Sequence, residues 1–381
     1  MRLLVWLLLS ATNLAQSGPR IQISQTTENL RGINVVSRQV AWASGTHGTY
    51  LRTVDGGQTW TPAQVPDAIG LDFRAVVAFS ADEAFLMSAG PGDQSRIYHT
   101  SDGGQHWQLQ FTNPNPKGFF DSMAFWNPKH GFVLGDPIPD ESGKLHFELL
   151  KTEDGQNWQP IPPSQIPEAL AGEGAFAASN SCIAILQSKG GAGTSSSTRN
   201  DDIWFATGGK AARVFHSSDG GRTWQVSNTH ILQGSESAGI FSIAFRDAQH
   251  GVIAGGDYKH TDEDGPDLAF TTDAGKTWTL STLKPQAFFS AVAYDQQVNA
   301  AAIRQQAEDQ STKGIGKKLT PVAPQRLFII GEDFIFDFRP PNNPRRINGK
   351  KKQGFAFNAV SPFPDGGALV VGPKGTIAYV P

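Results

Sequence analysis

One short pattern recurs along this chain at a spacing that few folds can use. Five segments fit a single template: Thr53–Trp60, Thr100–Trp107, a shortened Thr152–Trp158, Ser217–Trp224 and Thr271–Trp278. Their tryptophans, Trp60, Trp107, Trp158, Trp224 and Trp278, stand 47, 51, 66 and 54 residues apart. A period near fifty suits a four-stranded propeller blade and is too long for an ankyrin or leucine-rich repeat. Each segment reads as a self-capped hairpin turn. An aspartate (Asp55, Asp102, Asp154, Asp219 or Asp273) can accept hydrogen bonds from nearby backbone N–H groups. Glycine after it supplies a positive φ. Threonine opens the outgoing strand and tryptophan packs between sheets. Five copies of one carboxylate argue for a structural role, because catalysis needs a single site.

These five segments resemble the Asp-box, or BNR, repeat of sialidases, sortilin-type receptors and photosystem II stability/assembly-factor-like proteins. The resemblance extends over about residues 21–381, more thinly after Trp278, and implies an all-β, seven-bladed propeller. Apolar runs between the boxes agree with it: Phe73–Phe79, Phe120–Phe125, Ile240–Phe245 and Phe288–Tyr294 read as inner strands covered on both faces. Counting them places blades at 33–66, 72–112, 119–162, 174–229, 239–283, 288–350 and 354–381, the last two without a box. Blade 7 then has three strands and lacks its outermost one. Residues Ile21–Thr26 are expected to supply it, closing the ring and hiding its edges. Residues 296–325 read as an insertion in blade 6, and the serine- and glycine-rich stretch 188–200 as a loop. Residues 18–381 are therefore expected to form one domain.

The 41 glycines and 24 prolines suit a turn-rich β fold. A net charge of −3 gives no footing for nucleic acid, and the basic run from Arg345 to Lys352 reads as a solvated loop. Arg2 followed by Leu3–Leu9 and a small-residue exit at Ala15-Gln16-Ser17 reads as a signal peptide over residues 1–17. The apolar run is too short to span a bilayer, and no cysteine at its exit favours a lipid anchor. The expected location is extracytoplasmic, either secreted or periplasmic. Cys182, the single cysteine, has apolar neighbours and reads as an inert buried thiol.

Strand alternation puts the Asp boxes on one face of the ring. In Asp-box enzymes the active site lies on the other. On that other face the sequence places Asp121, Asp136, Glu173, Arg213, Glu236, Asp257 and Tyr258, mostly in blades 3 to 5. They are the candidate ligand-binding residues, suited to cations or polar ligands. A sialidase needs three arginines, a tyrosine–glutamate pair and an Arg-Ile-Pro motif, and the last is absent. No zinc, EF-hand or nucleotide-loop pattern occurs, so neither metal nor cofactor is expected. The reading is a non-catalytic module that binds a protein or a polar or carbohydrate ligand, closest to the assembly-factor-like group. The alternative is a glycoside hydrolase that uses two carboxylates such as Asp136 and Asp257.

Overall fold

The computed structural model describes residues 18–186, 201–261, 263, 265–282, 288–295, 326–331, 334–338, 345–346 and 356–381. The expected signal peptide, the loop at 188–200, the insertion at 296–325 and residues 347–352 of the basic run lie outside them. Seven antiparallel sheets form the blades of a β-propeller. Their innermost strands are Leu30–Val35, Asp72–Ala78, Phe120–Asn127, Ile183–Leu186, Ala238–Phe245, Phe289–Tyr294 and Ala359–Pro362, in blades 1 to 7. Arg345–Arg346, read from sequence as loop, is instead the short outer strand of blade 6, paired with Phe336 and Asp337.

The core is seven apolar clusters, one between each pair of neighbouring blades. Trp42, Phe73 and Tyr98 fill the gap between blades 1 and 2. Phe147, Phe205 and Phe215 fill that between blades 3 and 4. Leu51, Trp60, Leu369 and Ile377 fill that between blades 7 and 1. Each blade is thus apolar on both faces, which explains the unbroken hydrophobic runs of its inner strands.

The Asp boxes work as local caps. Asp55 Oδ1 accepts from the Thr59 N–H at 2.9 Å and from Thr53 Oγ1 at 2.8 Å, while its Oδ2 accepts from Thr59 Oγ1 at 2.5 Å. These bonds, led by the Thr59 hydroxyl and N–H, hold the Asp55 carboxyl down at about 2. Gly56 and Gly57 have φ of +75° and +82°, the left-handed region that glycine enters freely. Three of the five box tryptophans reach backward to the preceding blade, whereas Trp224 Nε1 donates within its own box to Gly221 O and Trp107 Nε1 has no partner among the described residues. Trp158 Nε1 donates to Gln110 on the outer strand of blade 2 at 3.0 Å, and Trp278 Nε1 to Ser227 on that of blade 4 at 3.3 Å.

This backward bond explains the closure. Arg20–Gln22 pairs antiparallel with Ile377–Val380 and becomes the outer strand of blade 7. Trp60 Nε1 donates to Gln22 Oε1 at 2.8 Å, so the first box grips the last blade as the boxes of blades 3 and 5 grip their predecessors. Side chains also stitch the inner strands together. Ser361 accepts from the Val35 N–H, Asn34 from that of Ala78, and Ser242 from that of Val292, at 2.9, 3.0 and 2.9 Å.

Candidate functional site

Inner strands enter the ring on the face opposite the boxes, and each of five carries a β-bulge beside its entry. The register slips between Leu30 and Gly32, Phe73 and Ala75, Phe120 and Ser122, Ile240 and Ser242, and Phe289 and Ala291. A bulge leaves one residue unpaired and re-aims its side chain. Those residues are Arg31, Arg74, Asp121, Phe241 and Ser290. They stand at equivalent positions around the central channel, on the face where the sequence placed the site.

A segment the sequence did not single out crosses this channel. Residues 175–181, between blades 3 and 4, bond to inner strands on several sides. Ala177 O accepts from Arg74 at 2.6 Å. Asn180 Oδ1 accepts from the Met123 N–H at 2.7 Å. Ser179 Oγ donates to Ser290 O at 3.0 Å, and Ser181 Oγ to Ser242 Oγ at 2.8 Å. Phe176 stacks flat on Phe241 at 3.9 Å. The channel is therefore floored, and a ligand from the mouth meets a shallow funnel rather than a tunnel.

Two sides of the funnel differ in chemistry. On blades 1 and 2, Asp72 lies between two guanidinium groups, 2.9 Å from Arg74 and 3.5 Å from Arg31. All three are about a quarter exposed, leaving a net positive corner open to solvent. Across blades 6 and 5 an aromatic row runs from Phe288 over the buried Phe241 to Tyr258, with centroids 4.7 and 6.1 Å apart. Tyr258 is 46% exposed at its rim.

The sequence-derived residues divide into three groups. Asp121 is 1% exposed and its Oδ2 has no hydrogen-bond partner among the described residues. Burial, reinforced by Asp136 and Glu148 and opposed by Arg74, raises its pKa well above the carboxylate range. Asp136 beside it is raised by burial although the Ala175 N–H donates to it at 3.0 Å. Glu173 and Arg213 face each other, the first buried and the second partly buried. Arg213 Nε donates to Glu173 Oε1 at 2.9 Å, Thr207 donates to the same oxygen at 2.6 Å, and the Leu170 N–H donates to Oε2 at 2.8 Å. Their charges are satisfied within the protein. Glu173–Gly174 does not lead into blade 4, as the sequence suggested. It pairs with Gly208–Gly209, which pairs with Gly239, adding two short strands to the inner edge of blade 5. Bare glycine backbones permit that approach: a Cβ at Gly208 would lie 2.9 Å from the Gly239 Cα.

Asp257 and Tyr258 lie at the end of the second strand of blade 5, and Glu236 is exposed in the loop entering that blade. Burial works to raise the Asp257 pKa, but bonds from Ser237, the Lys259 N–H, His260 and Ser235 outweigh it and hold the carboxyl at about 2. His260 and Ser235 both bind Asp257, at 3.1 and 3.2 Å. A Ser–His–Asp relay places histidine between the other two, so this cluster is a capped turn. Between Asp257 and Asp136 lie the inner strand of blade 5 and the two added strands. The two carboxylates therefore stand on strands that are not neighbours. Cys182 is fully buried, and burial pushes its thiol up to about 12.

The family model described as photosynthesis system II assembly factor YCF48 matches residues 12–118. Photosystem II assembly lipoprotein Ycf48 of Synechococcus sp. (strain CC9902) is 22% identical over 249 residues, covering 60% of this chain and 70% of its own. The photosystem II assembly protein Ycf48 of Synechococcus sp. (strain JA-2-3B'a(2-13)) is 24% identical over 277 residues, 56% of this chain and 78% of its own. Among solved structures, one described as YCF48 bound to D1 peptide superposes with a TM-score of 0.60 at 15% identity, over 95% of this chain and 96% of that one. YCF48 from Cyanidioschyzon merolae gives 0.58 at 16% identity, over 95% and 98%. No helix among the described residues is long and apolar enough to cross a membrane. The chain is a seven-bladed Asp-box β-propeller that resembles the photosystem II assembly factors of the Ycf48 kind.

Proposed function

We propose that the chain is a non-catalytic, extracytoplasmic scaffold that holds an extended segment of a protein partner in the funnel opposite the Asp boxes. The observation that carries this reading is the bulge ring. Five blades each lose a backbone pair at one level, turning Arg31, Arg74, Asp121, Phe241 and Ser290 toward the channel. Of the five, Arg31 and Arg74 are about a quarter exposed and open to a ligand, while Arg74, Phe241 and Ser290 also hold segment 175–181 in place. The chemistry suits a peptide: cations on one side for carboxylates, and an aromatic row ending in Tyr258 on the other for apolar side chains. Two relatives named as photosystem II assembly proteins, and a like-folded protein solved with a peptide, support a partner of polypeptide nature. Nothing in the chain ties that partner to photosynthesis.

The test is binding of the purified protein to an immobilised panel of unstructured peptides, beside turnover on a panel of glycosides. Peptide binding weakened tenfold or more by Arg31→Gln and by Tyr258→Ala, without glycoside turnover, is the expected result. Saturable turnover of a glycoside, or peptide binding indifferent to both substitutions, would overturn it.

A further inference from the structure

We infer that a second, separate site lies on the Asp-box face, at the seam between blades 7 and 1, and that it takes a small acidic carbohydrate. The seam holds a cavity of about 420 Å³ lined by Arg20, Gln22, Arg38, Gln39, Gln58 and Tyr379. That volume lies within the range of small-molecule sites. Its place follows from the closure. Strand Ile377–Val380 is followed by Pro381, and its partner Arg20–Gln22 comes from the other end of the sequence, so no box hairpin joins them.

The lining is rich in donors. Arg20 has neither ion pair nor hydrogen bond among the described residues, and its guanidinium rests 4.8 Å from the Tyr379 ring centroid. Arg38 reaches across from blade 1 and lies 4.7 Å from Phe363 and 5.5 Å from Tyr379. Among the described residues its carboxylate partner is Asp365, 3.3 Å away, with both side chains about half exposed. Stacking on rings fixes both cations; Arg38 also donates from Nη1 to Gly366 O at 3.5 Å, which leaves its Nη2 and the Arg20 guanidinium as the open donors. Gln22 Oε1 is taken by Trp60, so its amide offers donors. Asp55 borders the cavity, but its oxygens are occupied by Thr53 and Thr59. Two positioned guanidinium groups suit an oxyanion, phosphate or carboxylate. The amides of Gln22 and Gln39, and the Gln58 side-chain oxygen, whose amide nitrogen donates to Asp55 O at 3.1 Å, suit the hydroxyls of the sugar that carries it.

Titration calorimetry of the full chain with glucose 6-phosphate, galacturonate, glucose and inorganic phosphate tests this. Saturable binding of either acidic sugar, absent for glucose and weakened at least tenfold by Arg20→Gln and by Arg38→Gln, is expected. Which sugar binds distinguishes phosphate from carboxylate. The Arg96→Gln control, on blade 2, is expected to bind as the parent does. No saturable binding of either acidic sugar at 10 mM (on the order of the weakest useful affinity), binding unchanged in both variants, or equal binding of inorganic phosphate would overturn it. The site is independent of the funnel: Tyr258→Ala should leave sugar binding intact, and Arg20→Gln should leave peptide binding intact.

Discussion

Replacing Asp121 by asparagine isolates the effect of one carboxyl group forced to keep its proton. The side chain is buried, Oδ2 has no partner among the described residues, and Asp136 and Glu148 lie close enough to disfavour its charge. Its folded pKa is raised, so the folded chain holds a proton that the unfolded chain releases above about pH 3.9. Stability from this group is fully present below that value and is lost as pH rises towards the folded pKa. One proton of difference corresponds to about 1.4 kcal/mol per pH unit. Asparagine keeps the shape and cannot ionise in either state. In urea titrations between pH 4 and 8 the two proteins should be nearly equal at pH 4. The parent should then fall relative to Asp121→Asn by about 1.4 kcal/mol per unit, until its own Asp121 ionises. Asp136 and Glu148, also raised by burial, leave a residual slope in both proteins and cancel in the difference. Parallel pH profiles would refute this reasoning, as would a variant less stable than the parent across the whole range.

The box aspartates should act with opposite sign. Asp55 and Asp102 are depressed to about 2 by bonds from Thr59 and His106, so their contribution is present above about pH 3.9 and lost as pH falls towards 2. Asp102→Asn should therefore lose part of the acid-limb slope in thermal melts between pH 2 and 5. A double-mutant cycle with Trp60→Phe and Gln22→Leu should give a coupling of about 1 kcal/mol, the worth of one hydrogen bond, and removing residues 18–26 should lower the melting temperature of the whole ring. Glu173→Ala leaves Arg213 partly buried without its carboxylate and should destabilise by about 3–5 kcal/mol in urea denaturation. Pairing Glu173→Met with Arg213→Met should recover most of that loss; if it does not, the pair does more than neutralise itself.

How far the sequence reaches depends on the range of the interactions involved. Boxes are local: within eight residues Thr53, Asp55, Gly57 and Thr59 complete their own hydrogen bonds, so composition and spacing alone reveal the turn. The closing strand was legible for a related reason, since a propeller leaves a vacancy of known size; it was expected at Ile21–Thr26 and forms at Arg20–Gln22, sharing only Ile21 and Gln22 with that expectation. The funnel was harder to see. Asp121 and Asp136 were singled out because charged residues stand out against apolar strands. Phe241 and Ser290 occupy the same bulge position yet look like ordinary strand residues. A faint signal does exist: Leu30-Arg31-Gly32, Phe73-Arg74-Ala75, Phe120-Asp121-Ser122, Ile240-Phe241-Ser242 and Phe289-Ser290-Ala291 all read large apolar, variable, small.

The physical reason for that signal is general. The large residue anchors between blades, while a small one lets the chain rejoin its ladder after the bulge. At Gly32, for instance, a Cβ would lie 2.7 Å from Ser44 Oγ and 3.2 Å from Arg74 O. The middle residue differs from blade to blade, and Arg74, Phe241 and Ser290 use that position to hold segment 175–181. Phe357-Asn358-Ala359 repeats the pattern at the entry to blade 7, where Asn358 spans to blade 1 by donating to Leu30 O at 2.7 Å. Segment 175–181 carried no comparable signal. Its bonds run to blades 2, 3, 5 and 6, partners separated by tens of residues in both directions. Its side chains Phe176, Ser179, Asn180 and Ser181 find partners only once the ring has closed around them, so the folded chain alone reveals its course.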